Sequence, residues 1–156
     1  MSLTFFPHLP ASVHTLAVKD MAGLLTPKAT SMLVGALREE HPDLPIHVHT
    51  HDTAGNGVAS MLAAANAGAD IVDSAMDAMS GMTSQPSLGA LVANLRDTSM
   101  DTGIDLKSLP PLNAYWEDVR SVYAPFESGQ LSGSSDGKSC GVVGKRTIGD
   151  CWFVVQ

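Results

Sequence analysis

Aromatic residues are scarce in this chain, at 5% of 156 positions, and only 16% of residues are charged. Nine Lys and Arg stand against sixteen Asp and Glu, a formal net charge of −7. That deficit of positive charge removes the electrostatic footprint of a nucleic-acid binder or of a protein that docks on an anionic membrane surface. There are only two cysteines, Cys140 and Cys151, both late in the chain. They make no disulfide framework, and the body of the chain suits a reducing compartment. Apolar runs fall short of the ~18 residues that read as a membrane span. The opening stretch, MSLTFFPHLPASV, has no basic n-region and is broken by Pro7 and Pro10, so no targeting signal is read there. The hydrophobic share, 44%, belongs to an ordinary globular domain.

Against that plain background stands Ile46-His47-Val48-His49-Thr50-His51-Asp52-Thr53. Side chains alternate across a strand, so His47, His49 and His51 are expected on one face. Imidazoles gathered at a strand end are half of a metal site, because neutral imidazole ligates Zn, Mn and Fe well.

The surrounding pattern is β-α-β-α-β-α. Residues 14–18 read as a buried strand, ended by Lys19-Asp20 and followed by the loop 21–25. Thr26 is placed to cap a helix whose first turn holds Pro27, with Met32, Leu33, Ala36 and Leu37 as its apolar face. The second strand is Ile46–His49. A second helix carries Val58, Met61, Leu62 and Ala65 and stops at Gly68. Asp70–Ser74 is the third strand, and Pro86 opens a helix through Leu88, Leu91, Val92 and Leu95. A further helix is expected from Leu112 to Val122. Strands that are apolar throughout rather than alternating, joined by helices, specify a parallel sheet. Three such strands are part of a (β/α)8 TIM barrel, whose closure needs eight strands and ~250 residues. The fold class expected is therefore α/β, a partial barrel of about three parallel strands with crossover helices.

Catalytic groups of such barrels sit at the C-terminal strand ends. Lys19, the His49/His51 pair and Asp73 all fall there. An ammonium beside a divalent cation is repelled. Lys19 has three readings on chemistry alone: a salt bridge closing the barrel end, a Schiff-base amine, or a carbamate formed with CO2 that turns it into an anionic oxygen ligand. Farther on, Gly137 to Arg146 is glycine-rich and basic, but the full G-x-x-x-x-G-K-[ST] phosphate loop is absent.

Leu16-Ala17-Val18-Lys19-Asp20-Met21-Ala22-Gly23-Leu24-Leu25-Thr26-Pro27 and His49-Thr50-His51-Asp52-Thr53-Ala54-Gly55 resemble the carboxyltransferase domain of the pyruvate carboxylases. The likeness continues through Asp73 to Ser87, Leu112-Asn113-Ala114-Tyr115-Trp116 and Tyr123-Ala124-Pro125-Phe126-Glu127, so it covers about residues 14–136. Residues 137–156 read as an unrelated, poorly ordered tail. The resemblance implies a (β/α)8 barrel holding Mn2+ or Zn2+ through a strand-1 aspartate, a carbamylated lysine and two histidines. The matching positions are Lys19, as N6-carboxylysine, with His49 and His51; His47 is not in that set. Asp52 favours the carboxylases over the related decarboxylase subunits. The Lys-Asp-Met-Ala-Gly stretch separates the chain from metal-dependent acyl lyases.

The implied reaction moves CO2 from carboxybiotin to pyruvate, giving oxaloacetate. The resemblance further implies biotin on a separate carrier domain, ATP used only in the full-length enzyme, homo-oligomers, and a mitochondrial matrix or cytoplasmic setting. Positions 1–13 hold no counterpart of the strand-1 aspartate, so no complete catalytic set is expected and this chain alone is expected to be inactive. The alternatives are a non-catalytic truncated barrel fragment, or an acyl lyase or decarboxylase subunit of the same superfamily.

Overall fold

The computed structural model describes residues 9, 12–127 and, as backbone, the strand at 152–155. Leu16–Asp20 forms β1, followed by α1 (Pro27–Glu40), β2 (Ile46–Thr50), α2 (Gly57–Asn66) and β3 (Ile71–Val72). Then come α3 (Leu88–Leu95), α4 (Leu109–Tyr123) and β4 (Trp152–Val155). The sheet order is β3-β2-β1-β4, with β1, β2 and β3 parallel. These three parallel strands and their helices agree with the partial barrel expected from the sequence.

β1 begins and ends two residues later than the apolar run suggested, so Lys19 and Asp20 lie within it. The strand tolerates a buried carboxylate at its end because Asp20 is fully employed. Its Oδ2 accepts from Leu25 N (2.9 Å) and Thr50 Oγ1 (3.0 Å), and its Oδ1 from Ala22 N (3.3 Å). Leu16 and Val18 of β1 and Ile46 and Val48 of β2 turn one way, into a core with Val34 and Leu37 of α1, Met61 and Ala64 of α2, and Leu91 of α3. Ala17, Lys19, His47 and His49 turn the other way and are half-buried.

α1 starts as expected. Thr26 Oγ1 accepts from Ala29 N (3.3 Å) and Pro27 fills the first turn. Its buried stripe, however, is Thr30, Val34 and Leu37, while Met32 is exposed. At its C-terminal end Arg38 gathers three segments. The guanidinium donates to the carbonyls of Gly68 (2.7 Å), Leu44 (3.0 Å) and Pro42 (2.9 Å) and pairs with Asp70.

β3 has two residues where five were expected, yet its pairing with β2 reaches further. Asp70 N donates to Ile46 O (2.9 Å) and Asp73 N to Val48 O (3.1 Å). Pro86 does not open α3. It is buried before the helix, and Ser87 is the cap, its Oγ accepting from Ala90 N (3.1 Å). Asp77 braces that turn by accepting from Ser87 Oγ (2.6 Å), Gly89 N (2.7 Å) and Asn113 Nδ2 (3.0 Å) of α4. α4 starts three residues before the expected Leu112 and buries only Leu109.

β4 runs antiparallel to β1, Val155 opposite Leu16 and Trp152 opposite Lys19. From sequence the tail, residues 137–156, is expected to be poorly ordered. Its residues 137–151 and 156 lie outside the described residues, while 152–155 supply this strand. An open strand edge offers unpaired N–H and C=O groups, and a Trp-Phe-Val-Val segment has the composition that pairs with it. Among the described residues, no helix is long and apolar enough to cross a membrane.

Candidate functional site

In-register pairing sets Lys19 of β1 directly beside His49 of β2. Neighbouring parallel strands lie about 4.8 Å apart, and residues paired in register share a face, so the amine and the imidazole leave the sheet on the same side. Among the described residues Lys19 has no ion-pair partner, which leaves the salt-bridge reading of that lysine without support there.

His51 follows the end of β2, and its backbone N–H donates to Asp20 O (3.1 Å), which continues the register past the strand. Its ring turns toward His49. The two Nε2 atoms face each other at 3.4 Å with the rings edge-on at 70°. The far side of each ring is held. His49 Nδ1 meets Asp73 Oδ2 at 2.6 Å, and His51 Nδ1 meets Thr83 O at 2.6 Å. A carbonyl accepts only, so His51 Nδ1 carries its proton, and an ionised Asp73 makes the same demand of His49. Both neutral rings then direct Nε2 lone pairs at the same point. A cation or a shared proton is what such a point can hold.

Asp73 stands just past β3 and serves two histidines at once, its Oδ1 meeting His47 Nε2 at 2.7 Å. Burial opposes its charged form, but the hydrogen bonds it accepts from His49 and His47 outweigh that and hold its carboxyl below the usual aspartate range. His47 is thereby turned aside from the His49/His51 point, so the three alternating histidines act as a pair and a supporter.

Two loops frame this corner. Gly23 has φ +65°, and a Cβ there would stand 2.5 Å from His51 O, so the loop after β1 lies flat against the backbone of His51. On the other side the turn Gly81–Gln85 closes on itself through Gly81 N to Gln85 O (2.9 Å). It holds Met82 at φ +51°, a sparsely populated conformation for a side-chain-bearing residue. The next residue offers the carbonyl that grips His51. Asp52 does not enter the site. Its Oδ1 accepts from Gly57 N (2.6 Å) at the start of α2, and its N–H donates to Ser84 O (2.8 Å) of the same turn.

The sequence marked Lys19, His49 and His51, and the structure brings the two histidines together with Lys19 in register beside them. It missed the double grip of Asp73 and the Thr83 carbonyl. Asp73 was visible as a strand-end carboxylate, but a backbone acceptor leaves no trace in residue type. Among the described residues, no three His, Cys, Asp or Glu side chains gather as a ready ligand set.

Residues 9–115, which include every residue of this corner, match the HMGL-like family model. The chain belongs to the HMGL-like family. Within the family its relatives are specific. Pyruvate carboxylase 1 of Caenorhabditis elegans is 58% identical over 128 residues, 81% of this chain and 11% of that protein. Mitochondrial pyruvate carboxylase of Rattus norvegicus is 56% identical over the same share of each chain. The carboxyltransferase domain of Rhizobium etli pyruvate carboxylase, solved with pyruvate, superposes with a TM-score of 0.76 at 52% identity. That match covers 81% of this HMGL-like chain and 21% of the solved chain. The chain thus spans about a tenth of the curated relatives' length and a fifth of the solved domain's chain.

Proposed function

We propose that this chain is part of a carboxyltransferase that moves CO2 from carboxybiotin to pyruvate, giving oxaloacetate, and that its corner of β1 and β2 holds a divalent cation, Mn2+ or Zn2+. The observation that carries the reading is the pair of Nε2 atoms 3.4 Å apart, each ring held from behind, with Lys19 in register beside them. The donor set fits the ion: two neutral imidazoles suit Zn and Mn, and a carbamate supplies the negative charge that an ammonium cannot. The uncharged Lys19 amine adds to CO2 and loses a proton, giving N6-carboxylysine. His49 and His51 would hold the ion through Nε2, while Asp73 and Thr83 O keep their protons on Nδ1. When bound, such a cation would supply Lewis-acid polarisation of a substrate carbonyl oxygen.

The reading places residues 14–136 as the partial carboxyltransferase unit and 137–156 as a separate tail. Pyruvate and a biotin carrier domain are its partners, ATP is consumed elsewhere in the full-length enzyme, and that enzyme is a homo-oligomer. A mitochondrial matrix or cytoplasmic location is in keeping with relatives that include one named as mitochondrial. The Lys19–Gly23 stretch and the carboxylase relatives weigh against the acyl-lyase and decarboxylase alternatives. With two imidazoles and one lysine from the described residues, this chain alone is expected to turn over no pyruvate.

Calorimetric titration with Mn2+ and Zn2+, with and without bicarbonate, tests the site. Weak binding is expected, abolished by His49→Ala or His51→Ala. Lys19→Ala should remove only the bicarbonate-dependent part, because only the carbamate ligates. Binding untouched by all three substitutions would place the ion elsewhere.

A further inference from the structure

We propose that Asp73 is the positioning residue of the histidine pair: steadied by His47, it keeps the His49 proton on Nδ1 and so frees the His49 Nε2 lone pair to face His51. The inference deepens the metal reading and rests on it. Asp73 lies just beyond β3, and its N–H donates to Val48 O (3.1 Å), which fixes its backbone against the β2 residue between His47 and His49. Its two oxygens then span the face of β2, Oδ1 at 2.7 Å from His47 Nε2 and Oδ2 at 2.6 Å from His49 Nδ1.

An ionised carboxylate accepts and never donates. Both facing ring nitrogens must therefore carry protons, and a neutral His49 with its proton on Nδ1 has a bare Nε2. That is the atom set 3.4 Å from His51 Nε2. His47 explains why the carboxylate points so: its ring occupies the second oxygen and stops the carboxylate from turning away. The third histidine of the motif, which ligates nothing in this arrangement, thus has a task. A hydrogen-bonded partner behind a ligating imidazole is typically worth about 10–100-fold in metal affinity.

Nitrogen-15 NMR of the full chain, labelled in histidine and free of metal, reads the tautomer of each ring, and Zn2+ alone serves as the affinity probe. His49 is expected to carry its proton on Nδ1 in the wild type. In Asp73→Leu that preference is expected to be lost and Zn2+ affinity to fall about 10–100-fold, with an unchanged far-ultraviolet circular dichroism spectrum and a single cooperative unfolding transition showing that the fold is intact. His47→Phe should shift both readouts in the same direction and by less. A folded Asp73→Leu with unaltered tautomer and affinity would overturn the proposal. Should that variant not fold, the wild type still decides, since a His49 proton found on Nε2 overturns the proposal by itself. A wild type that binds no Zn2+ would instead overturn the metal reading and the affinity half of this one, leaving the tautomer to stand or fall on its own spectrum.

Discussion

Gly23 and Met82 show how single residues set the histidine pair from outside it. Gly23 touches no ligand, yet any Cβ at that point meets His51 O at 2.5 Å and Thr53 N at 3.2 Å, in a backbone with φ +65°. Gly23→Ala is therefore expected to cost about 1–3 kcal/mol through strain at that left-handed position. It should also weaken metal binding by moving His51, which urea unfolding and calorimetry on the same variant would show together. At this scale the sequence was informative where chemistry resides in residue type. Lys19, His49 and His51 could be named from their motif. The grip of Thr83 O on His51 could not, because it depends on Met82 adopting φ +51° and not on any side chain.

Among the elements, α1 separates what periodicity can and cannot tell. Its cap at Thr26 and its Pro27 are local chemistry and were legible. Its buried face was less so, since Thr30, Val34 and Leu37 point inward while Met32 is 64% exposed. Apolar spacing placed Met32 inside because it lies in line with Leu33 and Ala36, but the sheet meets the helix one step around. Leu37→Ala is expected to destabilise by about 2–5 kcal/mol, the cost of a core cavity. Met32→Gln should change stability by no more than about 0.5 kcal/mol. Comparable losses from both, measured by chemical denaturation, would contradict the packing of α1 on β1 and β2. β3 was over-extended for a related reason. Asp70 and Asp73 carry strand hydrogen bonds at its two ends, but their side chains serve Arg38 and the histidines.

For the whole molecule, the three carboxylates that tie segments together respond to acid alike. Asp70 is held below the ordinary aspartate range first by the Ile46 N–H, and further by Arg38. For Asp73 and Asp77 burial pulls the other way and is outweighed, by His49 and His47 for the one and by Ser87, Gly89 and Asn113 for the other. A carboxylate with a lowered folded-state pKa contributes stability above its unfolded value and loses it as pH falls through the folded one. Stability measured by thermal unfolding is therefore expected to hold steady above about pH 5 and to drop below about pH 4. A molecule that gained stability on acidification would contradict those three anchors. The parallel order of β1, β2 and β3 was legible from apolar runs and helix punctuation. The antiparallel β4 was not, since its pairing with β1 joins positions more than a hundred residues apart. The ion at the β1–β2 corner is open to X-ray absorption at the zinc edge of the Zn2+-loaded chain in bicarbonate. Two imidazole nitrogens at about 2.0–2.1 Å, with the remaining ligands oxygen, are expected, whereas a sulfur shell at about 2.3 Å, drawn from Cys140 or Cys151, would move the ion away from His49 and His51.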